Sequence, residues 1–169
     1  LQGFYEKGPD AQLGYTFPTL LTEYVMKNTH VPVGPWRGVN TNQNGIFMEC
    51  FMDECAKAAG QDPVKFRRAV MQSHPKHLGV LDAVAKKAEW EKPLPAGTFR
   101  GVAQFMGYAS YSACVAEVTV QNNVVKVNRL VFALNCGHVV NPYLTREQIE
   151  GSVAMALGAI FLPEISVEK

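Results

Sequence analysis

The sequence predicts an α+β fold, in which a loop and helical half precedes a short antiparallel sheet and a final packed helix. Apolar residues recur at helical spacing between residues 46 and 90, whereas they alternate with polar residues between residues 98 and 134. The chain has 169 residues, of which 47% are apolar, and this is enough for one hydrophobic core. We therefore predict a single unit over residues 1–169, with its loop and helical half at 1–97 and its β meander and last helix at 98–169.

The first predicted helix covers residues 46–59. Its apolar face is predicted from residues at every fourth position, Phe47, Phe51 and Cys55, with three more beside them: Met48, Met52 and Ala59. Its solvent-facing side is predicted from Glu49, Asp53 and Lys57. Before this helix we predict ordered loop, apart from one strand at residues 20–26.

Two further helices follow. The second is predicted to begin with Asp62 as N-cap and Pro63 as its first residue, and to run to about Gln72. The third is predicted over residues 78–90. Its buried face is predicted from Leu81, Val84, Ala85 and Ala88.

The sheet is predicted from strands at residues 98–109, 112–120 and 124–134, with Asn122-Asn123 as a two-residue turn. The inward face of the middle strand is predicted from Cys114, Ala116, Val118 and Val120. A last helix is predicted to open on a capping box at residues 145–148 and to continue to residue 162 through many small residues. The closing residues 167–169 have a strand-like pattern.

Composition excludes several classes of protein. The formal net charge is +1 and no long basic run occurs, so nucleic-acid binding is not predicted. No segment is long and apolar enough to cross a membrane. The four cysteines could form disulfides by number, but a core of this size favours buried free thiols.

No catalytic or metal-binding constellation stands out. The spacings Cys50…Cys55 and Cys136-Gly137-His138 match no standard zinc pattern. Three histidines are predicted in polar loops without an evident partner: His30, His74 and His77. Paired carboxylates, a Walker loop and a dinucleotide-binding glycine motif are also missing. If the chain is part of an enzyme, its hardest chemistry comes from a cofactor or from residues outside this chain.

The loop at residues 33–44, with sequence VGPWRGVNTNQN, is the strongest candidate for ligand binding. Trp36-Arg37-Gly38 either faces a cofactor or forms a surface turn whose arginine extends into solvent. The amides that follow, including Gln43, suit phosphate and pterin-like edges beside a helix N-terminus. Gln148 also has two interpretations, as the third residue of the capping box or as a hydrogen-bonding group for a heterocycle beside Gly151.

Several motifs in order resemble one family. The runs VPVGPWRGVNTNQNGIFMECFMDECAKAAGQDPVKFRRAVM and VNRLVFALNCGHVVNPYLTREQIEGSVAMALGAIFLPEI are similar to the molybdopterin-binding large subunit of the molybdenum hydroxylases. The nearest type is the isoquinoline 1-oxidoreductase β-subunit and related aldehyde dehydrogenases, within the xanthine dehydrogenase family. The resemblance covers residues 20–166 and implies that the chain is a portion of the molybdenum-binding region of a larger subunit.

The resemblance implies a molybdenum–pterin cofactor, commonly the cytosine dinucleotide form, held in the intact subunit and not necessarily by this portion alone. It implies an aldehyde or N-heterocycle substrate, oxygen taken from water, and an iron–sulfur small subunit as partner. The compartment stays open between periplasm and cytoplasm, with the periplasm favoured because many relatives are exported in folded form.

By the resemblance, the cofactor-binding residues are Arg37, Gly38, Gln43, Gln148 and Gly151. Trp36 and Val39 would lie on the substrate side. Asn40 and Asn135 depart from the family pattern, which has glycine and aspartate there.

The family's catalytic glutamate belongs to a G-x-G-E motif that does not occur in this chain. We therefore expect no catalytic residue here, no activity of the portion alone, and apolar surface that favours a homo-oligomer. The alternative is a non-catalytic α+β interaction domain derived from the same family.

Overall fold

The computed structural model describes residues 8–162, and the strand-like pattern at residues 167–169 lies outside them. The elements follow in chain order: α1 (Thr41–Ala58), α2 (Pro63–Val70), α3 (Pro75–Lys87), β1 (Thr98–Gly107), β2 (Ser110–Gln121), β3 (Val124–Asn135) and α4 (Pro142–Phe161). The predicted α+β class is confirmed. The chain forms two compact units that divide between Asn135 and Cys136.

The sheet has the order β1-β2-β3, and both pairs are antiparallel. Asn122 and Asn123 join β2 to β3 with φ angles of 50° and 61°, values that asparagine tolerates better than most residues. The three predicted strands and this turn are therefore confirmed.

The core side of β2 is formed by Tyr111, Ala113 and Val115, which pack in one cluster with residues of α3. The predicted inward face was wrong, because Cys114, Ala116 and Val118 are only half-buried and Val120 is exposed. Alternation separates the two faces of a strand, but it does not say which of them a helix covers.

Local capping signals define α2. The Asp62 side chain accepts hydrogen bonds from the backbone N–H groups of Val64 (3.0 Å) and Lys65 (2.9 Å), and Pro63 occupies the first turn. The helix ends at Val70, before the predicted Gln72. These contacts confirm the predicted start.

The third helix begins three residues earlier than predicted, at Pro75, and ends at Lys87. Leu81, Val84 and Ala88 are buried in the core as predicted. The helix thus supplies the main apolar layer under the sheet.

The face assignment of α1 was wrong for Phe47, Phe51 and Glu49, and it was right for Met52. Phe47 and Phe51 are 72% and 58% exposed, whereas Glu49, Met52 and Ala56 are buried. The buried Glu49 has an ion-pair partner in α2, described below, and so its burial is stable. Periodicity found the helix but could not show that a carboxylate would be satisfied inside.

Residues 20–26 form no strand, contrary to the prediction. Leu21, Val25 and Met26 are largely exposed, as is Val33 further along. These side chains, with the two exposed phenylalanines of α1, agree with the expectation of exposed apolar surface. In the part of the chain that the structure describes, no helix is long and apolar enough to span a membrane.

The start of α4 also differs from the prediction. The Asn141 side chain accepts from the N–H groups of Tyr143 (3.0 Å) and Leu144 (3.2 Å), so Asn141 is the N-cap. Thr145 lies inside the helix, where its hydroxyl donates to the Asn141 carbonyl (3.0 Å). The capping box at residues 145–148 was therefore wrong, and α4 begins one turn earlier.

All four cysteines are free thiols, as predicted. Their predicted burial was wrong, because Cys50 is exposed and the other three are half-buried. Cys50 lies on the exposed side of α1, next to Phe51.

Candidate functional site

A tight turn precedes α1. The Val39 N–H donates to the Trp36 carbonyl (3.0 Å), and Gly38 and Val39 have φ angles of 98° and 51°. Positive φ is routine for glycine but strained for a β-branched residue such as valine. The backbone of this turn is therefore held in a costly conformation at the point where the sequence predicted ligand binding.

The turn is fastened to the helix that follows. The Asn42 amide donates to the Arg37 carbonyl (2.7 Å), and Thr41 donates to the Gly38 carbonyl through its N–H (3.0 Å) and its hydroxyl. A Cβ on Gly38 would lie 2.5 Å from the Asn42 side-chain oxygen. Gly38 therefore makes room for Asn42, and its predicted contact with a cofactor stays a prediction.

Four predicted residues of this region are solvent-exposed: Trp36, Arg37, Val39 and Gln43. Gln43 lies in the first turn of α1 rather than in the loop, because the helix begins at Thr41. That first turn contains no acidic residue, and the Asn40 side chain makes no cap hydrogen bond. The partial positive charge of the helix N-terminus is thus not neutralised by a carboxylate of its own first turn.

The second predicted group lies on α4. Gln148 and Gly151 are exposed and three residues apart, so they share one face of the helix. A Cβ on Gly151 would meet nothing within 4 Å, which leaves the backbone accessible. Gln148 is not in the first turn of α4, since the helix begins at Pro142, and its predicted capping role is excluded.

The structure therefore brings Trp36, Arg37, Val39 and Gln43 together around one turn, and Gln148 and Gly151 together on one helix face. That these two groups of residues bind the same cofactor remains a prediction. An open cleft of about 900 Å³ beside α2 and α3 includes Asp62, Arg68 and Trp90 and none of the predicted site residues.

Sequence reasoning missed a buried polar network centred on Glu49. Its carboxylate accepts from the Tyr15 hydroxyl (2.5 Å), from Arg67 Nε (3.0 Å) and from the Gln104 N–H (2.9 Å). Arg67 also donates to the Glu49 carbonyl (2.9 Å) and to Asp53 (2.6 Å). The one local signal was that Glu49 shares a helix face with Met52 and Ala56, which are both buried.

The network shifts the pKa values of its members. Burial raises the pKa of Glu49, against the opposing effects of Arg67, Tyr15 and Gln104. Burial raises the pKa of Tyr15 too, and the Glu49 charge raises it further. Burial alone would lower the pKa of Arg67, but Glu49, Tyr15 and Asp53 together more than offset this effect and raise it.

Two of the three histidines predicted in polar loops are buried. His77 lies inside α3 and its ring contacts Gln104 and the Ala11 carbonyl. His74 precedes α3 and contacts the Thr16 hydroxyl (3.0 Å). The prediction that they lack partners was therefore wrong. Neighbouring residues gave no sign of these partners, because each partner is at least 27 residues away in sequence. The third, His30, is exposed in a loop as expected.

Comparison with known proteins identifies the family. Residues 48–169 match the model of the molybdopterin cofactor-binding domain. The chain belongs to this family. The resemblance found from the sequence motifs, to the large subunit of molybdenum hydroxylases, is thus confirmed.

Among curated proteins, the chain is 30% identical to a nicotinate dehydrogenase subunit of Pseudomonas putida, over 79% of this chain and 13% of that protein. It is 27% identical to the beta subunit of isoquinoline 1-oxidoreductase from Brevundimonas diminuta, over 93% of this chain and 21% of that protein. It is 26% identical to the aldehyde oxidoreductase molybdenum-binding subunit of Escherichia coli, over 80% of this chain and 19% of that protein. No solved structure matches the chain.

The chain therefore spans between 13% and 21% of the length of these relatives. The family model begins at residue 48, so it includes Gln148 and Gly151 but not the turn before α1. The alignment with the Brevundimonas protein covers 93% of the chain and includes that turn. Within residues 8–162, no group of three or more histidine, cysteine or acidic side chains could hold a metal ion.

Proposed function

We propose that this chain contributes part of the cofactor cradle of a molybdenum hydroxylase subunit, which oxidises an aldehyde or hydroxylates an N-heterocycle with oxygen from water. The family match over residues 48–169 carries this proposal. The names of the relatives support the substrate classes, since they include a nicotinate dehydrogenase, an isoquinoline oxidoreductase and an aldehyde oxidoreductase subunit.

The residues around the turn suit a phosphorylated pterin. Arg37 has five N–H donors in a planar fork, and Gln43 adds an amide in the first turn of α1. Both are exposed at a helix N-terminus without an acidic first turn, which favours an anion. When bound, the molybdenum–pterin supplies the redox chemistry and the oxygen transfer.

On α4, Gln148 can donate and accept hydrogen bonds at the edge of a heterocycle, and Gly151 allows that group to approach the helix backbone. The open space at Gly151 supports this role. We propose the cytosine dinucleotide form of the pterin, on the resemblance alone.

Trp36 and Val39 are proposed to border the substrate. They are 57% and 54% exposed, and the turn between them carries the strained φ of Val39. Strain of this kind is kept where it positions a side chain for function. An aromatic and an aliphatic surface would suit a flat, apolar substrate ring.

We propose that the other groups needed for the reaction lie outside this chain. The catalytic glutamate would come from another part of the subunit, and electrons would leave through an iron–sulfur partner subunit. The 169 residues alone would then be inactive. The periplasm is the proposed compartment, by analogy with exported relatives.

The test uses the complete subunit, assembled with its partner and cofactor. Arg37→Ala and Gln148→Ala should each lower bound molybdenum and pterin, because each removes a hydrogen-bonding group from the cofactor. A charged hydrogen bond contributes about 1.5–3 kcal/mol, so binding should weaken about 10- to 100-fold. Metal analysis and pterin fluorescence after dialysis measure the loss.

Two matched substitutions serve as controls. Lys57→Ala removes an exposed cation from the other end of α1, and Arg146→Ala removes one from α4 near Gln148. Both should keep full cofactor content. Equal cofactor content in Arg37→Ala, Gln148→Ala and the controls would show that these two residues do not hold the cofactor.

A further inference from the structure

One face of α1 follows the end of β1 closely. Thr41, Gly45 and Glu49 are spaced four residues apart, so they share one face of the helix. A Cβ on Gly45 would lie 3.4 Å from the Phe105 ring, and the Glu49 carboxylate accepts from the Gln104 N–H (2.9 Å). The helix backbone therefore lies directly against the strand.

Thr41, the first residue of α1, meets the end of β1 at Gly107. A Cβ added to Gly107 would lie 3.1 Å from Thr41 Cγ2 and 3.7 Å from Thr41 Oγ1. Carbon atoms pack best at about 3.5–4.0 Å, so a methyl group at this position would press on the threonine methyl. Glycine at position 107 therefore makes room for the Thr41 side chain against the strand.

The same threonine holds the turn that precedes α1. Its N–H (3.0 Å) and its hydroxyl both donate to the Gly38 carbonyl. That carbonyl belongs to the peptide group between Gly38 and Val39, and Val39 has the strained φ of 51°. Thr41 thus contacts the strand through its methyl and the turn through its hydroxyl and N–H.

We propose that Thr41 is a positioning residue of the candidate site, through which the end of β1 sets the orientation of the turn at residues 36–39. Two hydrogen bonds to one carbonyl fix the peptide plane after Gly38, and the contact with Gly107 keeps the threonine side chain in place. This inference rests on the proposed function, because the bound cofactor is what requires the turn in one orientation.

The strain at Val39 explains why this support matters for binding. Without the hydroxyl bond to the Gly38 carbonyl, the φ of Val39 should relax to negative values in a fraction of the molecules. The cofactor would then bind only the molecules that keep the strained turn, and the apparent affinity falls by that fraction.

The first test measures the turn itself, by NMR of the 169-residue chain. A residue with positive φ gives a strong nuclear Overhauser effect between its own N–H and Hα, and Val39 should show this signal in the unaltered chain. Thr41→Val removes the hydroxyl but keeps the shape of the side chain, and it should weaken the signal. Thr41→Ser keeps the hydroxyl and should retain the signal.

A substitution outside the turn tests the role of the strand. Gly107→Ala would press on Thr41 and should weaken the same Val39 signal. Gly101→Ala is the matched control, because Gly101 lies on the same face of β1 and a Cβ there would meet nothing within 4 Å. That control should leave the Val39 signal unchanged.

The second test measures cofactor binding in the complete subunit, assembled with its partner. Thr41→Val and Gly107→Ala should weaken the retention of molybdenum and pterin about 3- to 10-fold, the effect of one lost hydrogen bond. Thr41→Ser and Gly101→Ala should retain both. A cofactor loss that follows the melting temperatures of the four variants, and not their Val39 signals, would show a merely structural role and overturn the proposal.

Equal Val39 signals in all the variants would also overturn the proposal, and so would a weakened signal without loss of cofactor. If Gly107→Ala does not fold, the comparison of Thr41→Val with Thr41→Ser decides. Failure of the proposed function would look different, because the unaltered subunit itself would then contain no molybdenum or pterin. That result would overturn the positioning role as well, even if the Val39 signals still separated the variants.

Discussion

Arg67 of α2 and Glu49 of α1 form a buried ion pair, with 3.0 Å between Arg67 Nε and Glu49 Oε2. The Arg67 side chain is fully buried and that of Glu49 nearly so. Arg67 also reaches Asp53 and the Glu49 carbonyl, so one guanidinium fixes the second helix against the first. Because the turn of Trp36 and Arg37 leads directly into α1, this pair also fixes the helix from which that turn extends.

Arg67→Ala should destabilise the fold by about 3–5 kcal/mol, because it leaves the Glu49 carboxylate buried without its counterion. Urea unfolding followed by circular dichroism measures the change. The matched control is Arg68→Ala, the next residue, whose ion pair with Asp82 is solvent-exposed and should contribute less than about 1 kcal/mol. Similar losses in the two variants would contradict the special role of the buried pair.

Gly14→Ala should destabilise by about 1–3 kcal/mol, because the new methyl would overlap the buried His77 ring. Thermal unfolding measures this loss of stability. The control is Gly79→Ala on the exposed side of α3, where a Cβ meets nothing. There alanine should stabilise by about 1 kcal/mol through its helix propensity. A Gly14→Ala protein as stable as the parent would mean that the buried segment of residues 11–15 does not lie against His77.

Val39→Gly should stabilise the chain by up to about 1 kcal/mol, since it relieves the positive φ of a β-branched residue. Val33→Gly is the control, because Val33 is almost fully exposed and has no positive φ. There glycine should be neutral or destabilising, as it adds freedom to the unfolded chain. Chemical unfolding measures the stability of both variants. A Val39→Gly protein less stable than the parent would contradict the inference that Val39 is strained.

Thiol labelling at pH 8 should modify Cys50 at least about tenfold faster than Cys114. Burial raises the pKa of the Cys114 thiol to about 11, so about one molecule in a thousand carries the thiolate at pH 8. The Cys114 rate should rise tenfold per pH unit up to that value. Cys50 is exposed on α1. Mass spectrometry of peptides after brief alkylation compares the two rates, and equal rates would contradict the raised pKa of the half-buried Cys114.

Where a signal was contained in neighbouring residues, the sequence predicted the structure. Asp62-Pro63 predicted the start of α2, and Asn122-Asn123 predicted the hairpin turn, because a cap or a turn needs only residues that adjoin it. The same reasoning could have found the start of α4, since Asn141-Pro142 repeats the Asp62-Pro63 pattern. The prediction used the capping box at residues 145–148 instead, but the helix begins at the earlier signal, with Asn141 as its N-cap.

For the candidate site, too, the sequence predicted only the part that neighbouring residues define. The motifs identified the family and the turn of Arg37, and the structure shows how Asn42 and Thr41 hold that turn. The strain at Val39 could not be read from the sequence, because backbone angles depend on the hydrogen bonds that close the turn.

By itself, the sequence determined the α+β class, the strands and turn of the sheet, and the family. Only the tertiary structure decided which face of α1 and of β2 is buried, and that Glu49, Arg67 and His77 lie inside. The physical reason is that a charged or polar side chain is buried only when its partners arrive from distant segments, such as Arg67 for Glu49 and Ala11 for His77. Periodicity along one element contains no information about those partners.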